Sequence, residues 1–191
     1  MSANSADAIG DLRWVESEGG PLLLLPDDLL GFWEGVRRPP RFRTIEADFR
    51  WSAETGPTDY DRACDVNDYL GLIEVGPGHG LVLGDAPLRT TWFGDGQHSG
   101  GYLVRWVQAN SDAEVRQIMT TDLSTLPWVD GASLDVEAVP LVLFDSGLPG
   151  DQVGEDALRI RLAKGRYVVS TAEYAGDNDV RLLLHAVTKA M

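Results

Sequence analysis

The chain has 191 residues, 30 of them acidic and 16 basic, for a net charge of −14, and 43% are hydrophobic, including six tryptophans. That size and apolar content suit one domain with a real core, and the acidity argues against nucleic acid as a partner, because phosphates require a basic surface. No unbroken apolar run exceeds four residues, as at Leu22–Leu25, against the ~20 of a membrane-crossing helix, so no membrane partner is expected.

Met1–Gly10 are small and polar and are expected to form a disordered N-terminus, with residues 11–191 making a single domain. No basic-then-apolar leader opens the sequence, and the one cysteine, Cys64, has no disulfide partner. The expected compartment is therefore the reducing cytoplasm. Trp14–Pro26 reads as two extended pieces broken by Gly19-Gly20-Pro21, with Leu22–Leu25 a short buried strand. Asp27 and Asp28 then open a short helix whose apolar stripe is Leu29, Phe32, Trp33 and Val36, ending near Gly35 and stopped by Pro39-Pro40. Residues 41–51 alternate imperfectly, as a half-exposed strand does, and Ser52–Asp59 reads as a polar loop.

From Tyr69 the pattern becomes a meander. Leu70–Val75 and Leu81–Leu83 are joined through Gly76–Gly80 as a hairpin, and Thr90–Phe93 and Tyr102–Val107 through the glycine-rich loop Gly94–Gly101. Ser111 with Glu114 forms a capping-box pattern ahead of a helix carrying Val115, Ile118 and Met119. Val139–Phe144 reads as a buried strand, and Leu158, Ile160 and Leu162 alternate with Arg159 and Arg161. Lys164-Gly165 turns the chain into Tyr167–Thr171, and Asp177-Asn178-Asp179 turns it again into Val180–Val187. Strands outnumber helices, which predicts an α+β fold of mostly antiparallel sheet with two or three short helices.

Chemistry is sparsely encoded. His79, His98 and His185 are too far apart, and Cys64 too isolated, for the short ligand spacings of zinc sites, so no metal or other cofactor is expected. Gly76–Gly80 lacks the Lys-Ser/Thr of a phosphate loop and lies between strands. Neither Ser17 nor Ser99 sits in a Gly-x-Ser-x-Gly turn. Cys64 carries no catalytic signature around it, and the ordinary role of a free cysteine is that of a small hydrophobe. Acids remain. Glu16 and Glu18 share a face if residues 13–18 are extended, and Asp61, Asp65 and Asp68 line one side if 59–68 is helical. Residues 111–157 carry ten acids against Arg116 alone, whereas 36–50 and 158–191 are each net +3.

These patterns favour surface recognition over catalysis. The expected partner-contacting residues are Asp59 and Asp61, then Trp92 with Asp95 and His98 on the glycine-rich loop, then Asp130, Asp135 and Glu137 in the acidic block. The alternative is an enzyme or a small-ligand or metal-binding module using carboxylates such as Glu16, Glu18 and Asp61, which calls for a concave pocket lined by them. A subunit of a structural oligomer would instead need a large exposed apolar patch.

Trp14-Val15-Glu16-Ser17-Glu18-Gly19-Gly20-Pro21 with the leucines that follow, Trp33 and Gly35, then Asp59-Tyr60-Asp61-Arg62-Ala63-Cys64, Tyr69-Leu70-Gly71-Leu72-Ile73 and Gly84-Asp85, occur in an order that resembles the immunity protein 21 family of bacterial polymorphic toxin systems. The resemblance runs from Trp14 to at least Trp106. It implies a protein that binds a co-encoded toxin domain and blocks it inside the producing cell, without catalysis. It assigns no functional residue. The −14 charge would suit a basic nuclease toxin, whose phosphate sites carboxylates can occupy.

Overall fold

A computed structural model describes residues 12–37, 57–84, 86–137, 140–176 and 179–190. In chain order the strands are β1 (Leu22–Pro26), β2 (Leu70–Val75), β3 (Gly78–Leu83), β4 (Thr90–Gly94), β5 (Gly100–Gln108), β6 (Val129–Val136), β7 (Leu141–Asp145), β8 (Leu158–Ile160), β9 (Gly165–Ala175) and β10 (Arg181–Lys189). Two α-helices, α1 (Asp59–Cys64) and α2 (Asp112–Ile118), join them. Among the described residues the strands form two antiparallel five-stranded sheets, β2-β3-β1-β7-β8 and β4-β5-β10-β9-β6. The α+β expectation holds, with the sheet dominant. No helix among these residues is long and apolar enough to cross a membrane.

The leucine run of β1 is explained by its position at the centre of the first sheet, paired to β3 on one side and β7 on the other. Leu22 and Leu24 enter the cluster between the sheets with Leu103, Leu134, Tyr167 and Val187 of the second sheet. Leu23 and Leu25 face the other way, under Leu29, Trp33 and Ala63. A strand covered on both faces has no polar side to show, so alternation disappears. The outer face of the second sheet is closed by α2, whose Val115 and Ile118 pack with Leu182 and Leu184.

Some local expectations shift. Asp27–Phe32 is a 3-10 helix, and Trp33 is already extended (φ −95°, ψ 114°). The four-residue stripe of a continuous helix therefore never forms: Leu29 and Trp33 are buried, while Phe32 and Val36 are 54% and 56% exposed. Trp33 is fixed instead by its indole N–H, which donates to the Ser146 carbonyl at 3.0 Å. The α2 cap is as read for Ser111, which accepts from the Glu114 N–H at 3.3 Å. The Glu114 carboxylate, however, reaches back to the N–H of Asn110 (2.8 Å), one residue earlier than the capping box requires. A full capping box occurs at α1, between Thr58 and Asp61.

The β2–β3 hairpin turns on Gly76-Pro77 alone, with Gly76 at φ +54°, a conformation that glycine adopts without strain. β8 spans three residues and pairs with β7, so the chain at Lys164-Gly165 crosses from one sheet to the other to begin β9. β6 carries no counterpart in the sequence reading. The strand read at 41–51 lies outside the described residues, as do residues 1–10, 52–56 and Val139.

Candidate partner-binding face

The two sheets leave four end strands, and the fold treats them differently. On one side of the sandwich β8 lies beside β4, and on the other β2 lies beside β6. β4 is covered at its first residue, where Val15 and Thr90 exchange both backbone hydrogen bonds at 2.8 Å. β8 is only three residues long. On β2 the Glu74 carbonyl accepts from the Arg62 guanidinium at 2.5 Å. β6 is eight residues long and pairs through one edge with β9. Among the described residues no hydrogen bond reaches its other edge.

β6 also contains a bulge. Asp130 pairs with Ser170 and Ala132 with Val169, leaving Gly131 unmatched. Gly131 faces β2 closely, since a Cβ there would stand 3.1 Å from Leu70 Cδ1. Two clefts follow one another along this side. The first, about 540 Å³, is lined by Asp68, Leu70, Val129, Asp130 and Glu173 among others. The second, about 390 Å³, is lined by Asp28, Leu72, His79, Asp135, Glu137 and Arg166 among others. Six carboxylates thus face one guanidinium across the two. Leu72 and Val129, 43% and 67% exposed, place apolar surface among them. The ion pairs of Arg166 with Asp135 (3.7 Å) and Lys164 with Glu137 are highly exposed and contribute little stability.

The expected contact residues fall in three places. Asp130, Asp135 and Glu137 belong to the β6 side. Trp92, Asp95 and His98 lie on the opposite, β4–β8 side and line a cleft of about 330 Å³ with Arg159 and Arg161. There the Asp95 carboxylate accepts from the N–H groups of Gln97 (2.8 Å) and Ser99 (3.1 Å), shaping its own loop. His98, at φ +59°, has Nδ1 at 3.1 Å from the Arg161 carbonyl. Asp59 and Asp61 stand on α1 over the outer face of the first sheet. Asp59 accepts from the Glu34 N–H (2.9 Å) and Arg62 (2.8 Å). Asp61 accepts from the Thr58 N–H (2.6 Å) and hydroxyl (2.7 Å).

The carboxylates weighed for catalysis do not converge. α1 stops at Cys64, so Asp61, Asp65 and Asp68 do not share a helix face. Glu16 lines a cleft of about 510 Å³ with Asp145 and Asp156, and Asp61 is not part of it. Among the described residues no three His, Cys, Asp or Glu side chains are placed to hold a metal ion. Cys64 is exposed rather than packed as a small hydrophobe, and desolvation of its thiol, together with Asp61 and Asp65, pushes it above the ordinary thiol value. That is the reverse of an activated nucleophile.

Two buried polar residues escaped the sequence reading. Arg105 on β5 is fully buried and donates to the carbonyls of Gly84 (2.8 Å) and Ala86. His185 on β10 is likewise buried, with Nδ1 2.9 Å from the Thr171 hydroxyl. Burial, and then the Arg105 charge, lower its pKa to about 3, so the ring is neutral near pH 7. Both sit in apolar strand patterns, where a single polar letter gives no sign of its direction. Leu72 and Val129 were also missed, because exposure of one apolar residue at a sheet edge depends on tertiary packing. The period-two series Leu134, Asp135, Val136, Glu137 was the available signal for β6.

A family model described as immunity protein 21 matches residues 13–180. No curated protein and no solved structure matches the chain.

Proposed function

The chain belongs to the immunity protein 21 family, and from that membership we propose that it neutralises a cognate bacterial toxin domain by direct protein–protein contact, without catalysis, in the cytoplasm of the producing cell. The match over residues 13–180 is the observation that carries this reading. The contact surface we favour is the β2–β6 side, with Asp130, Asp135 and Glu137 facing the toxin. Its six carboxylates and exposed Leu72 and Val129 supply charge and apolar anchorage together. A basic toxin, such as a nuclease whose phosphate-binding surface is cationic, is the partner that charge suits. Trp92, Asp95 and His98 form the second contact set, on the opposite side.

Co-expression tests the reading. Cells making the toxin domain encoded beside this protein are expected to survive only when the protein is present, and the two are expected to co-purify. Alanine at a true anchor costs at least ~2 kcal/mol of binding. Continued killing of cells that make both proteins would sink the proposal. Protection without any physical complex would sink the contact mechanism.

A further inference from the structure

We propose that the open edge of β6 receives an extended segment of the toxin as an added strand, and that this segment alternates apolar and basic residues. The inference rests on the direct-contact reading and specifies its geometry. β6 is the longest of the four end strands, and although β2 runs beside it, among the described residues no hydrogen bond from another segment or side chain reaches its outer edge. A strand laid there would gain a row of main-chain hydrogen bonds, and its side chains would point alternately to the two faces of the sheet.

The pairing of β6 with β9 fixes what those faces meet. Val129, Ala132, Leu134 and Val136 pair with Thr171, Val169, Tyr167 and Gly165, on the face that looks toward the other sheet. An incoming side chain on that face enters the clefts beside Leu70, Leu72 and Val129 and is best apolar. Asp130 and Asp135 pair with Ser170 and Arg166 on the outer face. A neighbouring side chain there meets carboxylates and is best basic, since opposite charges on adjacent strands attract and like charges repel. The same rule disfavours a second copy of this chain, which would bring its own Asp130 and Asp135 to the acids already present.

Acids and a bulge on an end strand also serve simply to prevent sheet-to-sheet aggregation. Repulsion alone, however, has no use for an exposed valine and leucine beside two clefts of about 540 and 390 Å³.

The experiment uses the full chain, isotope-labelled for amide detection, and a short peptide of alternating valine and lysine. Shifts and slowed hydrogen exchange are expected in 129–136. They should vanish when the peptide is N-methylated along its pairing edge, and binding should weaken several-fold in the double variant Asp130→Asn, Asp135→Asn. No binding, equal binding of the N-methylated peptide, or perturbation confined to other strands would overturn strand addition. Exchange in the complex with the co-encoded toxin separates this failure from that of the broader reading. Protection at 129–136 supports the added strand. Neutralisation with protection only elsewhere overturns it while leaving direct contact standing, and absence of neutralisation overturns both.

Discussion

His185 shows how much a single buried side chain can impose. Its ring is held neutral between the sheets, with a pKa of about 3 against 6.5 for a free histidine, chiefly through burial and secondarily through Arg105. Between those two values the unfolded chain takes up a proton that the folded chain refuses, so stability falls as pH drops below 6.5. The slope approaches ~1.4 kcal/mol per pH unit for one such group. His185→Gln keeps a partner for the Thr171 hydroxyl and removes the titration. Urea midpoints measured down a pH series should therefore fall less steeply in the variant than in the parent. Parallel curves would mean that His185 does not govern this acid sensitivity. A second residue-level contrast concerns the acids. Asp61 holds the N–H and hydroxyl of Thr58, so Asp61→Ala should cost about 1 kcal/mol of folding stability, as lost caps do, and leave toxin affinity unchanged. Asp130→Ala should do the opposite, and isothermal titration beside denaturation of each variant would read both.

Among the elements, those fixed by local chemistry were the ones visible beforehand. The four leucines of β1 announced a strand buried on both faces, and Ser111 marked the start of α2. The two glycine-rich connections fell where they were read but are shorter: Gly78–Gly80 belong to β3 rather than to the first turn, and Gly94, Gly100 and Gly101 belong to β4 and β5 rather than to the second loop. What was hidden depended on partners. The apolar letters at 29, 32, 33 and 36 fit an α-helix, yet the chain is extended by Trp33, whose indole bonds Ser146, after two tight 3-10 turns. β6 was obscured because the unmatched Gly131 breaks its period of two just where the alternation would have become long enough to notice. Of the candidate face, the acids Asp130, Asp135 and Glu137 were readable as an acidic block. Their assembly with Asp28, Asp68 and Glu173 was not, since those three lie on other segments altogether.

For the whole molecule, the −14 charge predicts how recognition responds to its medium. If acids on the β2–β6 side engage a basic toxin, raising salt from low ionic strength to well above physiological should slow association and weaken the complex, because exposed charges are screened within ~8 Å at physiological ionic strength. Stopped-flow mixing at a series of salt concentrations would measure this, and an association rate indifferent to salt would exclude a charge-steered encounter. The pairing of sheets could not be anticipated from the letters, for the strands that meet are far apart along the chain.

That separation bears on when folding can finish. The middle strand of one sheet, β1, waits for β7, and the middle of the other is β10, the last strand described. A nascent chain still threading its final strand through the ribosome has a gap at the heart of its second sheet, and such distant pairings close slowly. The second sheet, and every surface that depends on it, therefore cannot be completed until the chain has been translated through Lys189.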